Sequence, residues 1–420
     1  ATFLDANGDG HADLLVVSGG NEFWGTADAL RSRLYLGDGR GGFRRDASAV
    51  PPIFENGSCV AAADFDGDGH VDLFIGSRVV GKQYGLAPAS HLLRNDGTGH
   101  FTDVTQKVAP DLLHAGMVTS AVWADYDGDG KPDLIVAGEW MPVRVFHQDG
   151  GKFVERTTEA GFGATNGWWN SVTAVRVPGR LSPDLLLGNV GLNSPLRATR
   201  EEPARMSLGD FAHDGGLQQI ITSYRDGVSH LLATRDELTR AVPSLKSKYP
   251  TYKSFGASRV EDIFSAAERR KATVLEAFDF ASAYARNRGN GTFVLETLPA
   301  AAQVAPIHAA LSDDFDGDGI ADLLVAGNFN GVAPVLGRYD ASYGLLLRGG
   351  RDGKFAAVDM AEDQLVIEGE VRHMAVVRGM DGARMIAVAR NDETLALLRV
   401  RPAGAPTAHS AGSMTRLGGP

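Results

Sequence analysis

The sequence predicts an all-β fold, a single β-propeller of seven four-stranded blades. The first observation is a nine-residue acidic loop that recurs along the 420-residue chain and leads each time into a short apolar stretch. The second is a turn rich in Gly, Asn and Asp that ends in Phe and follows the loop in fixed phase. Internal repeats indicate blades or solenoid units, and four-stranded antiparallel units in series form propeller blades.

The acidic loop places side-chain oxygens at positions 1, 3, 5 and 9 around a glycine at position 6. Ca²⁺ accepts many oxygen ligands in flexible geometry, and carboxylates this close repel one another unless a cation lies between them. Position 7 would contribute its backbone carbonyl. The predicted metal ligands are Asp5, Asn7, Asp9, His11 and Asp13; Asp64, Asp66, Asp68, His70 and Asp72; Asp125, Asp127, Asp129, Lys131 and Asp133; and Asp314, Asp316, Asp318, Ile320 and Asp322. The alternative is four Asp/Gly turns that bind no metal.

The residues after each loop distinguish it from an EF-hand, which needs a bidentate Glu at position 12 and flanking helices. Position 12 is apolar in all four loops: Val16, Ile75, Val136 and Val325. Four or five apolar residues bounded by Gly are typical of a buried strand. We therefore expect each loop to join two strands of a β-hairpin. We also expect the chain to bind about four Ca²⁺ ions, one in each loop.

Three degenerate units complete the count of seven, with starts near residues 5, 64, 125, 176, 210, 314 and 376. The fourth unit keeps Asp184 but has Arg176 at position 1, and the fifth keeps Asp210 and Asp214 but has Gln218 at position 9. The unit near 376 has lost the acidic loop. Because the fourth unit is short and the fifth is long, six or eight blades remain alternatives.

The fifth unit contains a predicted helical insertion at about 234–271. Three Ser/Thr-x-x-Glu capping boxes occur there, and two prolines divide the segment into short helices. The boxes pair Thr234 with Glu237, Ser258 with Glu261 and Ser265 with Glu268. We assign residues 1–402 to the propeller and predict a disordered tail over 403–420. The last unit lacks a fourth strand after residues 395–401, which an upstream segment would supply.

Composition excludes several classes of partner. The net charge is −11 and there is no basic stripe, which argues against nucleic acid. No apolar run reaches the length of a membrane span. Cys59 is the only cysteine, so an internal disulfide is impossible. Extracellular Ca²⁺ modules work at about 10⁻⁴ to 10⁻³ M, so we expect an exported protein located in the periplasm, at the cell surface or outside the cell.

The loops and hairpins resemble FG-GAP/VCBS-type repeats, as in integrin α-subunit propellers and many secreted bacterial proteins. Further segments resemble bacterial ASPIC/UnbV proteins related to cartilage acidic protein. These are residues 16–22, 167–171, 188–194, 250–253 and 337–342. The resemblance implies a calcium-bound propeller within a larger exported protein. It implies no defined ligand.

The sequence shows no nucleophile elbow and no zinc-type histidine spacing, so no catalytic residue is assigned. Aromatic residues beside Asn, Asp and Arg suit sugars or peptide side chains. The candidate ligand residues are Trp168, Trp169, Asn170, Arg338, Tyr339 and Asp340. The alternative is that the tryptophans pack between blades and Arg338 pairs with Asp340. We expect a non-catalytic protein- or glycan-binding module, with a polysaccharide lyase or hydrolase as the alternative; the partner and the oligomeric state stay open.

Overall fold

Short apolar stretches that follow the acidic loops form the central strands of the sheets. The computed structural model describes residues 1–256, 258–332, 337–360 and 364–400. Within these residues the strands form seven antiparallel sheets, as predicted. Central strands such as the one at Asp133–Met141 are buried along their whole length, which explains why their sequences are continuously apolar rather than alternating.

The first three sheets follow one another along the chain in a simple up-and-down order. The first consists of β1 (Thr2–Leu4), β2 (Asp13–Val16), β3 (Arg33–Gly37) and β4 (Phe43–Asp46). The second consists of β5 (Asn56–Ala63), β6 (Asp72–Val79), β7 (His91–Asn95) and β8 (Phe101–Asp103). The third consists of β9 (Met117–Ala124), β10 (Asp133–Met141), β11 (Arg144–Asp149), β12 (Lys152–Glu155) and the short β13 (Gly167–Trp168).

The fourth and fifth sheets are nested in the chain, an arrangement that the order of the repeats did not predict. The fourth sheet begins with β14 (Ser171–Val175) and β15 (Asp184–Gly188). The chain then forms the whole fifth sheet, from β16 (Ala204–Gly209), β17 (Gln218–Arg225), β18 (Val228–Leu231) and β19 (Thr273–Ala277). Only afterwards do β20 (Ala283–Asn287) and β21 (Phe293–Thr297) complete the fourth sheet, where β15 pairs with β20. This nesting explains the short fourth unit and the long fifth one.

The last two sheets differ in their number of strands. The sixth consists of β22 (Ile307–Asp313), β23 (Asp322–Gly327), β24 (Leu345–Gly349) and β25 (Phe355–Ala357). The seventh has β26 (Val371–Arg378), β27 (Arg384–Arg390) and β28 (Ala396–Arg399). Three strands within the described residues agree with the predicted lack of a fourth. The predicted tail, 403–420, lies outside the described residues.

The predicted helical segment forms five short helices between β18 and β19. They are α2 (Arg235–Ala241), α3 (Leu245–Lys248), α4 (Tyr252–Gly256), α5 (Val260–Ile263) and α6 (Ala266–Lys271); α1 (Thr105–Val108) lies after β8. Single 3₁₀ turns occur at Asp28–Leu30, Pro110–Leu112 and Ala300–Gln303. The insertion shares a core with its own sheet, in which Leu238 and Phe264 pack with Phe211 and Ile220.

Two of the three predicted capping boxes form. Thr234 caps α2 with Glu237, and Ser265 caps α6 with Glu268. Ser258 does not cap α5, because its hydroxyl donates to the carbonyl of Ser254 at 3.1 Å. Instead the carboxylate of Asp262 accepts the amide of Arg259 at 2.8 Å. The helix therefore starts one residue later than its Ser-x-x-Glu pattern indicates.

Backbone contacts group the chain into two compact units. The first contains Ala1–Asp125, Asp129–Trp169 and Pro195–Phe280, and the second contains Tyr126–Gly128, Asn170–Ser194 and Ala281–Pro420. Inside the first unit, Phe74, Val136 and Phe146 of the second and third sheets share one core. Inside the second unit, Leu186 of the fourth sheet packs with Leu323 of the sixth. Assignment of 1–402 to one domain stays a prediction.

Candidate metal centres

The acidic loops are held in shape by their own backbone amides. In the second loop, Asp64 accepts the amide of Gly67 on Oδ1 at 2.8 Å and that of Gly69 on Oδ2 at 2.9 Å. Gly69, at position 6, has a φ of 91°, a conformation that side-chain-bearing residues rarely adopt. The fourth loop repeats the pattern around Asp314 and Gly319, with 3.0 Å from the Gly319 amide to Oδ2. The loop sequence thus encodes its turn locally.

The aspartate at position 9 connects two turns of the same sheet. Asp72 is fully buried. It accepts the amide of Phe65 on Oδ2 at 3.2 Å and the amide of Asn95, at the end of β7, on Oδ1 at 2.8 Å. Asp322 makes the same pair of bonds with the amides of Phe315 and Gly349, at 3.0 and 2.9 Å. Position 9 therefore ties the acidic loop to the turn that follows the third strand.

Three of the four predicted cages bring their carboxylates together. The carboxylate oxygens come within 4.8 Å of one another in three groups: Asp64, Asp66 and Asp72; Asp125, Asp127 and Asp133; and Asp314, Asp316 and Asp322. In the second loop, Asp66 Oδ1 is buried without a hydrogen-bond partner. An orphaned buried carboxylate oxygen is costly, and a divalent cation would satisfy it. These residues therefore fit a hard, oxygen-binding cation.

The electrostatics of the second loop favour a bound cation. Burial, together with the negative charges of Asp66 and Asp68, raises the pKa of Asp72 to about 7, although two backbone hydrogen bonds act in the opposite direction. The pKa of Asp322 in the fourth loop is raised for the same leading reason, with Asp316 as the neighbouring charge. A cation among these groups would favour their ionised forms.

The first and third loops are variations on this arrangement. In the first loop, Asn7 donates its amide to Asp9 Oδ2 at 3.0 Å, and Asp13 ties Ala6 to Gly37 as Asp72 does in its sheet. In the third loop a histidine joins the carboxylates, because His147 Nδ1 lies 2.9 Å from Asp133 Oδ1. His147 also lies within 4.8 Å of Asp127 and Asp129.

Position 7 behaves alike in all four loops. Its backbone amide donates to the carboxylate at position 5, at distances between 2.8 and 3.0 Å. The four residues are His11, His70, Lys131 and Ile320, with the acceptors Asp9, Asp68, Asp129 and Asp318. The two histidine side chains are exposed, as expected. Their assignment as carbonyl ligands stays a prediction.

The degenerate loops keep the turn but replace the cage. In the fourth sheet Asp184, equivalent to position 9, is fully buried and pairs with the Arg180 guanidinium. The hydroxyl of Tyr284 donates to its second oxygen at 2.8 Å. In the fifth sheet Gln218 accepts the amide of Ala212 at 2.9 Å, one residue later in the loop than the amide that the position-9 aspartate accepts elsewhere. No divalent cation is needed in either place.

The candidate ligand residues are not alike in their surroundings. Trp169 is fully buried, and its indole N–H donates to the carbonyl of Thr165 at 2.8 Å, which is the packing role given as the alternative. Trp168 is half-buried, and Asn170 donates its backbone amide to Gly188. In the second compact unit, the backbone of Tyr339 pairs with that of Phe329, while Arg338 and Asp340 are exposed.

A second polar and aromatic group, which the sequence analysis missed, lies at the ends of β6 and β10 away from the acidic loops. We call it the Glu139 cluster: Arg78, Tyr84, Glu139, Trp140 and Trp168. Glu139 is buried and binds Arg78 Nη2 at 2.8 Å and the Tyr84 hydroxyl at 2.7 Å. Trp140 has a φ of 59°, an outlier for a bulky residue, and its ring centroid lies 5.9 Å from that of Trp168.

The Glu139 cluster continues into an exposed aromatic loop of the first sheet. The Lys82 ammonium lies 3.3 Å from the ring centroid of Trp24, which is 53% exposed. The Lys82 backbone amide donates to Asn21 Oδ1 at 2.8 Å. No sequence motif joins these positions, because they come together only through the pairing of different sheets. An unusual run of Trp and Tyr after successive central strands was the one available signal.

The family comparison follows the same loops. The model for the FG-GAP-like repeat matches residues 5–75, 85–136 and 125–187, which include the first three acidic loops and the degenerate loop that ends at Asp184. These residues form FG-GAP-like repeats. The strand–loop–strand geometry described above is therefore that of FG-GAP repeats, and the predicted resemblance is confirmed. The narrower resemblance to ASPIC/UnbV proteins stays a prediction.

Solved structures with similarity to this FG-GAP chain include three proteins of different kinds. One is the biofilm matrix protein Bap1 of V. cholerae, with 12% identity, a TM-score of 0.34, and coverage of 93% of this chain and 73% of that one. Another is the Dos1 propeller, with 9% identity, a TM-score of 0.36, and coverage of 89% and 73%. The third is the exotype rhamnogalacturonan lyase YesX, with 14% identity, a TM-score of 0.30, and coverage of 95% and 71%. A comparison with curated protein sequences found no match.

Proposed function

We propose that this FG-GAP repeat chain is a calcium-binding module that acts outside the cytoplasm and binds a protein or glycan partner without catalysis. The observation that carries the calcium part is the convergence of three carboxylates within 4.8 Å in each of three repeats. The orphaned Asp66 Oδ1 adds a buried ligand atom that no protein donor satisfies. Oxygen-only ligand sets of this kind suit Ca²⁺.

Calcium would act here as a structural link between hairpins. The aspartates at positions 1, 3, 5 and 9 would hold the ion, and position 9 already binds the turn after the third strand. When bound, the ion neutralises the clustered carboxylates. Because Asp72 and Asp322 begin central strands whose first six residues are all buried, ordering the loop orders the end of the strand as well.

The proposed location follows from the kind of site. Extracellular calcium modules work at about 10⁻⁴ to 10⁻³ M, concentrations at which such loops fill. No helix among the described residues has the length and apolar character required to cross a membrane. We therefore place the working form of the chain in a calcium-rich compartment.

The partner surface that we propose is formed by Trp24, Lys82 and Arg78, beside the buried Glu139 and Trp140 of the Glu139 cluster. Aromatic faces give rigid contact area at low entropic cost, and strained backbone such as that of Trp140 often marks a binding site. The surface carries the exposed ammonium of Lys82 and the half-exposed guanidinium of Arg78. Trp24→Ala should weaken binding to a glycan array or a protein partner, whereas exposed Leu181→Ala should not.

The lyase or hydrolase alternative receives no specific support from the described residues. The nearest arrangement to a catalytic one is Tyr84 beside Glu139 and Arg78. Burial and the neighbouring negative charge of Glu139 raise the pKa of Tyr84 well above its usual range, so the phenol stays protonated at neutral pH and is a poor base. Its hydroxyl is already donated to Glu139.

Thermal melting tests the calcium proposal directly. The purified chain is stripped with EDTA and melted alone, with millimolar Ca²⁺ and with millimolar Mg²⁺. A ligand that binds only the native state raises its stability according to concentration over Kd. We expect a rise in Tm of several degrees with Ca²⁺ and less with Mg²⁺, which needs near-ideal octahedral geometry. An unchanged Tm in a chain shown by metal analysis to be calcium-free would overturn the proposal.

A further inference from the structure

One residue of the third strand faces the position-9 aspartate in each sheet that has such an aspartate. In the second sheet, Leu73 pairs with Leu93, so the next residues along, Asp72 and Arg94, stand opposite each other. The same register sets Asp322 opposite Arg348 in the sixth sheet. It sets Asp13 opposite Leu36, Asp133 opposite His147, and Asp184 opposite Arg286. We call this position the facing residue.

Where the facing residue is arginine, it binds the carboxylates of the acidic loop. Arg94 Nε lies 2.7 Å from Asp66 Oδ2, and its Nη2 lies 3.1 Å from Asp68 Oδ2. In the sixth sheet, Arg348 Nε lies 2.9 Å from Asp316 Oδ2. Positions 3 and 5 are among the predicted ligands of the cation. The guanidinium thus supplies positive charge to oxygens that the cation would also use.

The two arginine side chains are exposed enough to move away from the acidic loops. The side chain of Arg94 is 51% exposed and that of Arg348 is 44% exposed, whereas Asp66 is only 16% exposed. A guanidinium at the surface can turn into solvent at little cost, because exposed ion pairs contribute little to stability. Asp68 and Asp316 are less free to move, because their carboxylates accept loop amides. Asp66 accepts no loop amide, but the loop backbone that carries it is held by the amides bound to Asp64.

The fourth sheet shows what happens when arginine replaces the cation altogether. Asp184 is fully buried and binds the Arg180 guanidinium, and Arg286 Nη1 lies 4.0 Å from its other oxygen. Arg180 also donates to the carbonyl of Asn287 at 2.6 Å, so it connects the loop to the turn after the third strand. Here the other cage aspartates are missing, and arginine supplies the positive charge beside the buried carboxylate, which also accepts hydrogen bonds from the Tyr284 hydroxyl and the Asn287 amide.

We propose that Arg94 and Arg348 are internal competitors of the cation: they hold the second and sixth sheets' loops when calcium is scarce and are displaced when it binds. This inference rests on the calcium proposal above and adds its regulation. Bound Ca²⁺ then replaces the guanidinium as the positive charge beside the carboxylates. These loops therefore stay folded when calcium is scarce and bind Ca²⁺ only when its concentration is higher. The first loop, with Leu36 as its facing residue, has no such competitor.

The proposal is testable because Arg94→Met should affect the Tm differently in EDTA and in saturating Ca²⁺. In EDTA, Arg94→Met should lower the Tm, because it removes the only described side-chain partner of Asp66. In saturating Ca²⁺ the same variant should have a Tm equal to or above that of wild type, because one cation site tightens roughly tenfold when a nearby positive charge is removed. A plain surface ion pair would lose stability in both buffers.

Calorimetric titration of Ca²⁺ into the intact, EDTA-stripped chain measures the affinity itself. Arg94→Met should tighten one site, and the gain should vanish in Arg94→Met/Asp66→Ala. The matched control is Arg286→Met, at the same register beside a loop without a cage, which should leave calcium affinity unchanged. In the reverse direction, Leu36→Arg should weaken one site several-fold.

The outcomes separate the two proposals. If wild type binds calcium and Arg94→Met leaves the affinity unchanged or weakens it, the competitor role is wrong and the calcium site stands. If wild type binds no calcium, both proposals are wrong. Tightening in Arg94→Met together with weakening in Leu36→Arg would support both.

Discussion

The aspartates of one acidic loop have different binding partners, although they look equivalent in the sequence. Asp64 and Asp72 are used by backbone amides of their own sheet. Asp66 binds only the Arg94 side chain among its described partners and leaves one buried oxygen without a partner. Substitutions at these positions should therefore separate calcium binding from folding.

Asp66→Ala should remove one loop's share of the calcium response. The variant keeps the amide-supported turn, so its Tm in EDTA should stay within a few degrees of wild type. Its Tm increase with millimolar Ca²⁺ should be smaller, because one site no longer binds. Asp214→Ala, in the degenerate loop of the fifth sheet, is the control and should keep the full increase. Equal increases in wild type and Asp66→Ala would exclude the second loop as a calcium site.

Asp72→Ala should instead destabilise the chain whether or not calcium is present. It leaves the buried amides of Phe65 and Asn95 without an acceptor, and each such loss costs about 1–3 kcal/mol. We expect a decrease of about 2–4 kcal/mol in the free energy of unfolding, measured by urea denaturation in EDTA. A variant as stable as wild type would show that water replaces the carboxylate at these amides.

At the scale of elements, the helical insertion shows how local signals succeed and fail. The capping patterns at Thr234 and Ser265 predict real helix starts, because a cap needs only its own first turn. The pattern at Ser258 fails since the hydroxyl finds the Ser254 carbonyl of the preceding helix. The Ser-x-x-Glu pattern does not take into account a competing acceptor one turn earlier in the chain.

Alanine at these three positions should give unequal effects. Thr234→Ala and Ser265→Ala each remove a capping bond and should cost about 1 kcal/mol. Ser258→Ala removes an exposed hydroxyl–carbonyl bond and should cost well under 0.5 kcal/mol, as surface substitutions usually do. Chemical denaturation followed by circular dichroism measures all three. An equal cost at Ser258 would contradict the observed start of α5.

The end of β10 carries a buried charge that depends on a neighbouring sheet. Arg78→Met leaves Glu139 buried with only the Tyr84 hydroxyl. Breaking a fully buried pair costs about 3–5 kcal/mol, and because Arg78 is 44% exposed we expect about 1–3 kcal/mol. Arg205→Met is the matched control: its partner Glu276 is 42% exposed, so it should cost under about 1 kcal/mol. Equal losses in urea denaturation would mean that Glu139 is solvated.

At the scale of the whole molecule, calcium should act at separate places along the chain. The second loop lies in the first unit and the fourth loop lies in the second unit. Hydrogen exchange with and without Ca²⁺ should show added protection around 64–72 and 314–322. The fifth sheet, 204–277, should show none, because Gln218 and Ala212 replace cage residues there. Protection spread evenly over all sheets would indicate a general stabilisation rather than bound ions.

The sequence alone determined the features whose causes are local. Acidic loops, the Gly-Asn turns and the buried central strands each follow from about ten consecutive residues, so the seven sheets agree with prediction. The family follows from the same residues, since its repeat is this loop and hairpin.

Only the tertiary structure decided the features that depend on pairing between distant strands. β15 pairs with β20 across about 100 residues of chain, so the fifth sheet is nested in the fourth, although repeats read in order predict consecutive units. Arg94 meets Asp66 only because β6 and β7 pair in one register. Glu139 meets Arg78 and Tyr84 only because neighbouring sheets pack together. The spacing of residues along the chain determines the geometry of a turn. The pairing of distant strands depends instead on the shared burial of their apolar faces.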